Sequence, residues 1–183
     1  MIYAGIDPSL TGTGVFTYNT DTKEYRVSTF STPADDGTLP SKLARIEKMS
    51  KVVWAFLVGE GMPTHVAIEA PAYSSNTGKV WDRAGVWWLL VKKLNDNQIP
   101  TLEIRPTMRS KYATGKGTSN KDAVLLAVAR NYQDFDVTDN NQADALLLCC
   151  MIARICNNPI EESITSGRLE AIDTVRKEVK WEK

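Results

Sequence analysis

The chain has 183 residues, 43% of them hydrophobic, and its 22 basic side chains balance 22 acidic ones. That describes one globular domain with a real core. It excludes a protein coated in basic charge, although a neutral total can still contain a local basic patch. No long uncharged apolar segment occurs, so no membrane association is expected.

The N-terminus, Ile2 to Asp7, is an apolar run that ends on one acid. It reads as a buried strand rather than a secretory leader. Pro8 stops it, because proline has no N–H for a ladder. Gly12 and Gly14 let the backbone turn and approach something closely. Val15 to Tyr18 returns as a second strand, and Glu24 to Phe30 forms a third, antiparallel to it. Ser41 is the expected N-cap of the first helix. Leu43, Ile46, Met49, Val53 and Phe56 then recur at steps of three and four, and Gly59 and Gly61 close the helix.

His65 to Glu69 repeats the opening pattern: apolar residues, one terminal acid, then Pro71. The strand-helix-strand order predicts that this strand lies parallel to the first, with Asp7 and Glu69 at one sheet edge. Two close carboxylates repel, and a divalent cation relieves the repulsion. His65 lies at the other end of the strand and is expected to be a bystander. A polar loop from Tyr73 to Gly78 precedes a helix with two stripes. Val80, Ala84, Trp87, Val91 and Leu94 form the docking face. Trp81, Gly85 and Trp88 form a second, aromatic face that predicts a homodimer through the Trp81–Leu94 helix.

Ile99 to Ile104 is a fifth strand. From Arg105 to Lys121 there are five basic residues, Arg105, Arg109, Lys111, Lys116 and Lys121, and no acid. With Gly115 and Gly117 the segment reads as a pliable loop suited to a phosphate backbone. Ser119 and Asp122 are the expected capping box of the next helix, which runs to about Tyr132. Asp139 and Gln142 form a second capping box, which opens a helix that is apolar almost all round from Ala145 to Ile155 and therefore buried. Asn141 and Asp144 share one face of its first turns. Cys149, Cys150 and Cys156 lack metal-type spacing and are expected as reduced, buried thiols of a cytoplasmic protein. Beyond Asn157-Asn158-Pro159, Leu169, Ile172, Val175 and Val179 mark a surface helix with a frayed end. Residues 1–156 thus read as the main domain and 157–183 as a C-terminal helical tail.

Asp7, Glu69 and Asp144 come from distant parts of the chain and converge on one edge. Oxygen donors of this kind suit magnesium or manganese rather than zinc. Two such ions hold a phosphodiester in line for attack by water. No histidine, cysteine or serine constellation offers a rival nucleophile, so metal-assisted hydrolysis beside a basic segment is the coherent chemistry.

These residues resemble the motifs of the RuvC Holliday-junction resolvases. Gly5-Ile6-Asp7-Pro8-Ser9-Leu10-Thr11-Gly12-Thr13-Gly14-Val15 is similar to the first motif and Ala67-Ile68-Glu69-Ala70-Pro71 to the second. Lys111 to Gly117, followed by Lys121, is similar to the basic segment in the form seen in phage relatives, and Ala143-Asp144-Ala145-Leu146 to the last motif. The matches fall in the family's order between residue 2 and about 150. The resemblance implies an α/β, RNase H-like fold with a mixed five-stranded sheet flanked by helices. It implies a Mg2+-dependent endonuclease that cuts branched DNA as a homodimer, leaving 5′-phosphate and 3′-hydroxyl ends, in a host cytoplasm if phage-encoded. It implies two ions per site, with Mn2+ as a substitute, on Asp7, Glu69 and Asp144. The family's fourth ligand, usually Asp or His, falls on Asn141 here; Asp139 is the alternative donor. Tyr73 lies near a family position that stacks at the junction, and Arg105, Arg109, Lys111, Lys116 and Lys121 are the expected DNA contacts.

Three other readings fit parts of the pattern. Asp7 with Thr11 to Gly14 also resembles the phosphate loop of the actin and sugar-kinase fold, but that fold needs two related domains. A non-catalytic module for branched nucleic acid and an RNA-processing nuclease of the same fold are the others.

Overall fold

The computed structural model describes residues 1–71 and 80–179. Five strands, β1 (Ile2–Asp7), β2 (Thr13–Asn19), β3 (Tyr25–Phe30), β4 (His65–Glu69) and β5 (Thr101–Ile104), form one sheet in the order β3-β2-β1-β4-β5. β1 runs antiparallel to β2 and parallel to β4, and β5 is parallel to β4. This is the mixed five-stranded sheet expected of an RNase H-like fold. Tyr73 and the polar loop around it lie outside the described residues.

The pleat of the central strands decides which side of the sheet receives each acid. Successive side chains point to opposite faces. In β1, Ala4 and Ile6 join the core with α1 (Leu39–Leu57) and α2 (Val80–Asp96), whereas Tyr3 joins the core on the other face. Gly5 abuts the backbone of α5 (Asn140–Ile155) on that other face, so Asp7, two residues on, belongs to the α5 side. In β4, Val66 and Ile68 face α1 and α2, Ala67 faces α5, and Glu69 follows Ala67. Ile6 pairs with Ile68, so Asp7 and Glu69 are the next residues in register. Alternation and parallel pairing together place both acids on one face at one edge.

α5 has twelve buried residues, Ala143 to Ala153 without a gap and then Ile155. Asp139 caps it, accepting from the Gln142 N–H at 2.8 Å, while the Gln142 side chain accepts from the Thr138 N–H at 2.9 Å. The expected box is therefore present, shifted by one residue at its return bond.

Other boundaries differ from expectation. α1 begins at Leu39, with Thr38 rather than Ser41 as its cap; Thr38 Oγ1 accepts from the Ser41 N–H at 3.3 Å. Pro40 occupies its first turn, where a missing N–H costs nothing. β5 starts at Thr101 rather than Ile99. The basic stretch is not a loop over its first half. It folds as α3 (Pro106–Thr114), with proline at the start and Gly115 at φ +82° closing it through an N–H bond to Lys111 O. α4 (Lys121–Asn131) is capped by Asn120, which accepts from the Ala123 N–H at 2.9 Å, and not by Ser119.

The C-terminal segment forms α6 (Ser166–Glu178), which buries Arg168, Ala171, Ile172 and Val175. Leu169, expected on the apolar stripe, is exposed. α6 packs on α3 and α5. Glu161 ties this segment inward, accepting from Tyr112, from Tyr132 at 2.5 Å, and from Arg154 and Arg168 at 3.2 Å each. The three cysteines are free thiols, and burial pushes those of Cys149 and Cys150 well up. No described helix is long and apolar enough to cross a membrane.

Candidate active site

Asp7, Glu69, Asn141 and Asp144 line one cavity of about 300 Å³ at the C-terminal edge of β1 and β4. β1 and β4 supply the first two through the pleat, and α5 supplies the others from its first two turns. Asn141 and Asp144 are three residues apart and so share a helix face. α5 comes this close because glycines underlie it. A Cβ at Gly5 would overlap Ala145 O, one at Gly14 would overlap Asn141 O, and one at Gly12 would meet Asn141 Nδ2 at 2.7 Å. The expected close approach at Gly12 and Gly14 is therefore to a helix of the same chain.

The charges of the cavity balance within it. Asp7, Glu69 and Asp144 face Arg83, Arg109 and Lys121, three acids against three bases among the described residues. Arg109 bonds two of the acids at once: its Nε donates to Glu69 Oε2 and an Nη donates to Asp144 Oδ1. All three side chains are nearly buried. Asp7 has no comparable partner among the described residues. Burial, then the charge of Glu69, push its carboxyl from the usual 3.8 up to about 7, against the smaller opposing pull of Arg109 and Lys121. The Trp87 indole N–H donates to Glu69 O at 2.9 Å, so α2 also fixes the end of β4.

The sequence-predicted residues thus divide. Asp7, Glu69, Asn141 and Asp144 come together, with Arg109 and Lys121 among them. Asp139 does not line the cavity. Its oxygens accept from Thr29 Oγ1 at 2.7 Å and from the Gln142 N–H, so of the two candidates for a fourth ligand only Asn141 lines the cavity. Arg109, expected as a DNA contact of the basic segment, is turned toward Glu69 and Asp144. Lys111 pairs with Glu170 at 2.8 Å and Arg105 with Glu178 at 2.6 Å, both on α6. Lys116 and Lys121 are exposed. His65 stacks on Tyr3 at the far end of β4 from Glu69. Sequence reasoning missed Arg83. Its signal was position, one helical turn before Trp87 on the face that docks toward the strand ends.

The donor set suits a hard divalent cation. Three carboxylates and one amide line the cavity, with no thiol or imidazole among them. As the side chains stand, Arg109 is the cation between Glu69 and Asp144. Among the described residues, no three His, Cys, Asp or Glu side chains are already grouped to hold an ion.

Neither protein-family models nor curated protein sequences give a match to the chain. Solved structures do. Thermus thermophilus RuvC in complex with a Holliday junction substrate superposes with a TM-score of 0.64 at 16% identity, over 86% of this chain and 97% of that one. The yeast mitochondrial Holliday junction resolvase gives 0.52 at 11% identity, over 95% and 80%. The fowlpox virus Holliday junction resolvase gives 0.51 at 12% identity, over 84% and 98%. The chain has the RNase H-like fold of the RuvC-type resolvases.

Proposed function

We propose that this protein is a structure-specific endonuclease that cuts branched DNA of the Holliday-junction type as a homodimer in the cytoplasm. One observation carries the reading. Asp7, Glu69 and Asp144, together with Asn141, reach a single cavity from three elements, in a fold shared with junction resolvases. The cofactor in this reading is Mg2+, with Mn2+ as a substitute, as two ions held by Asp7, Glu69, Asp144 and the Asn141 carbonyl oxygen. Asp7, Glu69, Asp144 and Asn141 would hold the ions, whose chemistry would be activation of water and stabilisation of the leaving 3′-oxygen, giving 5′-phosphate and 3′-hydroxyl ends. The chain's own residues do the rest. The carboxylates set where the cations sit, and Asn141 contributes an oxygen without charge. Lys121 and Arg83 at the cavity and the exposed Lys116 attract the phosphate backbone.

Asp7→Asn tests the assignment. Nicking of a four-way junction should fall by about 100-fold or more, since several kcal/mol of cation-derived stabilisation are lost. Junction binding in a gel-shift assay should survive, because the basic residues are untouched. Cleavage at the wild-type rate would remove Asp7 from catalysis. Flap, duplex and structured-RNA substrates run beside the junction separate a resolvase from an RNA-processing nuclease. A second reading, a non-catalytic binder of branched nucleic acid, draws on the uncharged Asn141 and on Arg109 spanning two of the acids. Junction binding without nicking at any Mn2+ concentration would favour it.

A further inference from the structure

The nuclease reading leaves one side chain in an unexpected place. Arg109 starts from the first half of α3, in a segment whose last basic residue, Lys121, is exposed at the edge of the cavity and whose other basic residues lie away from it. Arg105 and Lys111 reach exposed acids on α6, and Lys116 is exposed. Arg109 alone of these four turns into the cavity, where its side chain is 11% exposed. There it bonds Glu69 and Asp144, which are 13% and 7% exposed. A fork that meets two carboxylates from different elements occupies the space between them. A divalent cation shared by those carboxylates needs the same oxygens.

We infer that Arg109 is a resident counter-cation: it holds Glu69 and Asp144 together in the metal-free protein and exchanges with the divalent cation when that binds. Two nearly buried carboxylates without a partner would be costly, so the metal-free fold needs a positive charge at this point. Arginine meets the need without filling the site permanently, because its long side chain can withdraw toward the cavity mouth while α3 stays in place. α3 is held independently. The Arg168 Nε–H donates to Tyr112 O at 2.6 Å, and Lys111 pairs with Glu170. The released guanidinium then lies on the side from which a phosphate would approach. The inference rests on the divalent-cation part of the proposed function.

A thermodynamic cycle with Arg109→Gln tests it. In EDTA the variant should melt several degrees below the wild type, because two buried carboxylates lose their partner. In saturating Mg2+ the two melting temperatures should converge. By calorimetry the variant should bind Mg2+ about tenfold or more tightly, the range in which one neighbouring charge shifts an ionic equilibrium. A wild-type measurement needs no variant. The 15N-edited NMR signal of the Arg109 Nε–H should be protected from exchange in EDTA, and should move to the position of a solvent-exposed arginine on adding Mg2+. A melting deficit that persists unchanged in Mg2+, or an Arg109 signal that stays put while calorimetry registers binding, would overturn the exchange and leave the nuclease reading intact. Absence of any Mg2+ or Mn2+ binding by the wild type would overturn both.

Discussion

Asp7 and Glu69 show how two side chains of the same type are set apart by their partners. Glu69 has a guanidinium against it; Asp7 has burial and a neighbouring negative charge. Because the folded carboxyl of Asp7 sits at about 7 against 3.8 ordinarily, the folded state holds its proton more tightly than the unfolded chain does. Its contribution to stability is complete below the ordinary value and is lost as pH rises through about 7. Urea unfolding in EDTA should therefore show the wild type losing stability from about pH 4 to about pH 7 and levelling off above, a loss that Asp7→Asn removes. A wild-type curve that is flat over this window would mean that Asp7 is already ionised.

Between β1 and α5 the contact is backbone against backbone. The Cβ of an alanine at position 5 would overlap Ala145 O and reach Cys149 N at 2.6 Å, neither of which can rotate away as a side-chain end could. Gly5→Ala should therefore cost about 3 kcal/mol or more, at or beyond the upper range for overpacking, read as a lowered melting temperature. The same shift would lift Asp144 from Asp7 and Glu69, so divalent-cation binding should weaken in the variant that does fold. Helix α5 is thus both the centre of the core and the part that delivers the third acid. Its position depends on residues too small to be seen as core.

Across the protein, the two sides of α2 serve different ends. Val86, Trp87, Leu90 and Leu94 are buried, while Trp81 and Trp88 are 85% and 64% exposed. Trp88 packs edge-to-face on Trp87, whose indole holds the Glu69 carbonyl. A second copy covering this face would sit one side chain away from the active site of the first. Trp88→Glu should leave the fold intact, because the side chain meets mostly solvent, and should convert the proposed homodimer to a monomer in sedimentation velocity. A wild type that sediments as a monomer would remove the proposed homodimer, and a variant that stays dimeric would move its interface elsewhere on the surface.

Much of this arrangement was readable in the chain before any coordinates. The pairing of β1 with β4, the acids at their ends, and the buried α5 all follow from short-range pattern and element order. Period-two alternation, period-3.6 stripes and the Asp139 cap are local physics, and local physics is written into neighbouring residues. The basic stretch was harder. Its charge count was visible, but not that half of it would be a helix, that α6 would neutralise Arg105 and Lys111, or that Arg109 would turn inward to span Glu69 and Asp144. Those outcomes depend on which acids the fold brings within reach from 35 to 73 residues away. Long-range pairing of charges leaves no periodic trace in the residues that take part, so it is settled only when the helices pack.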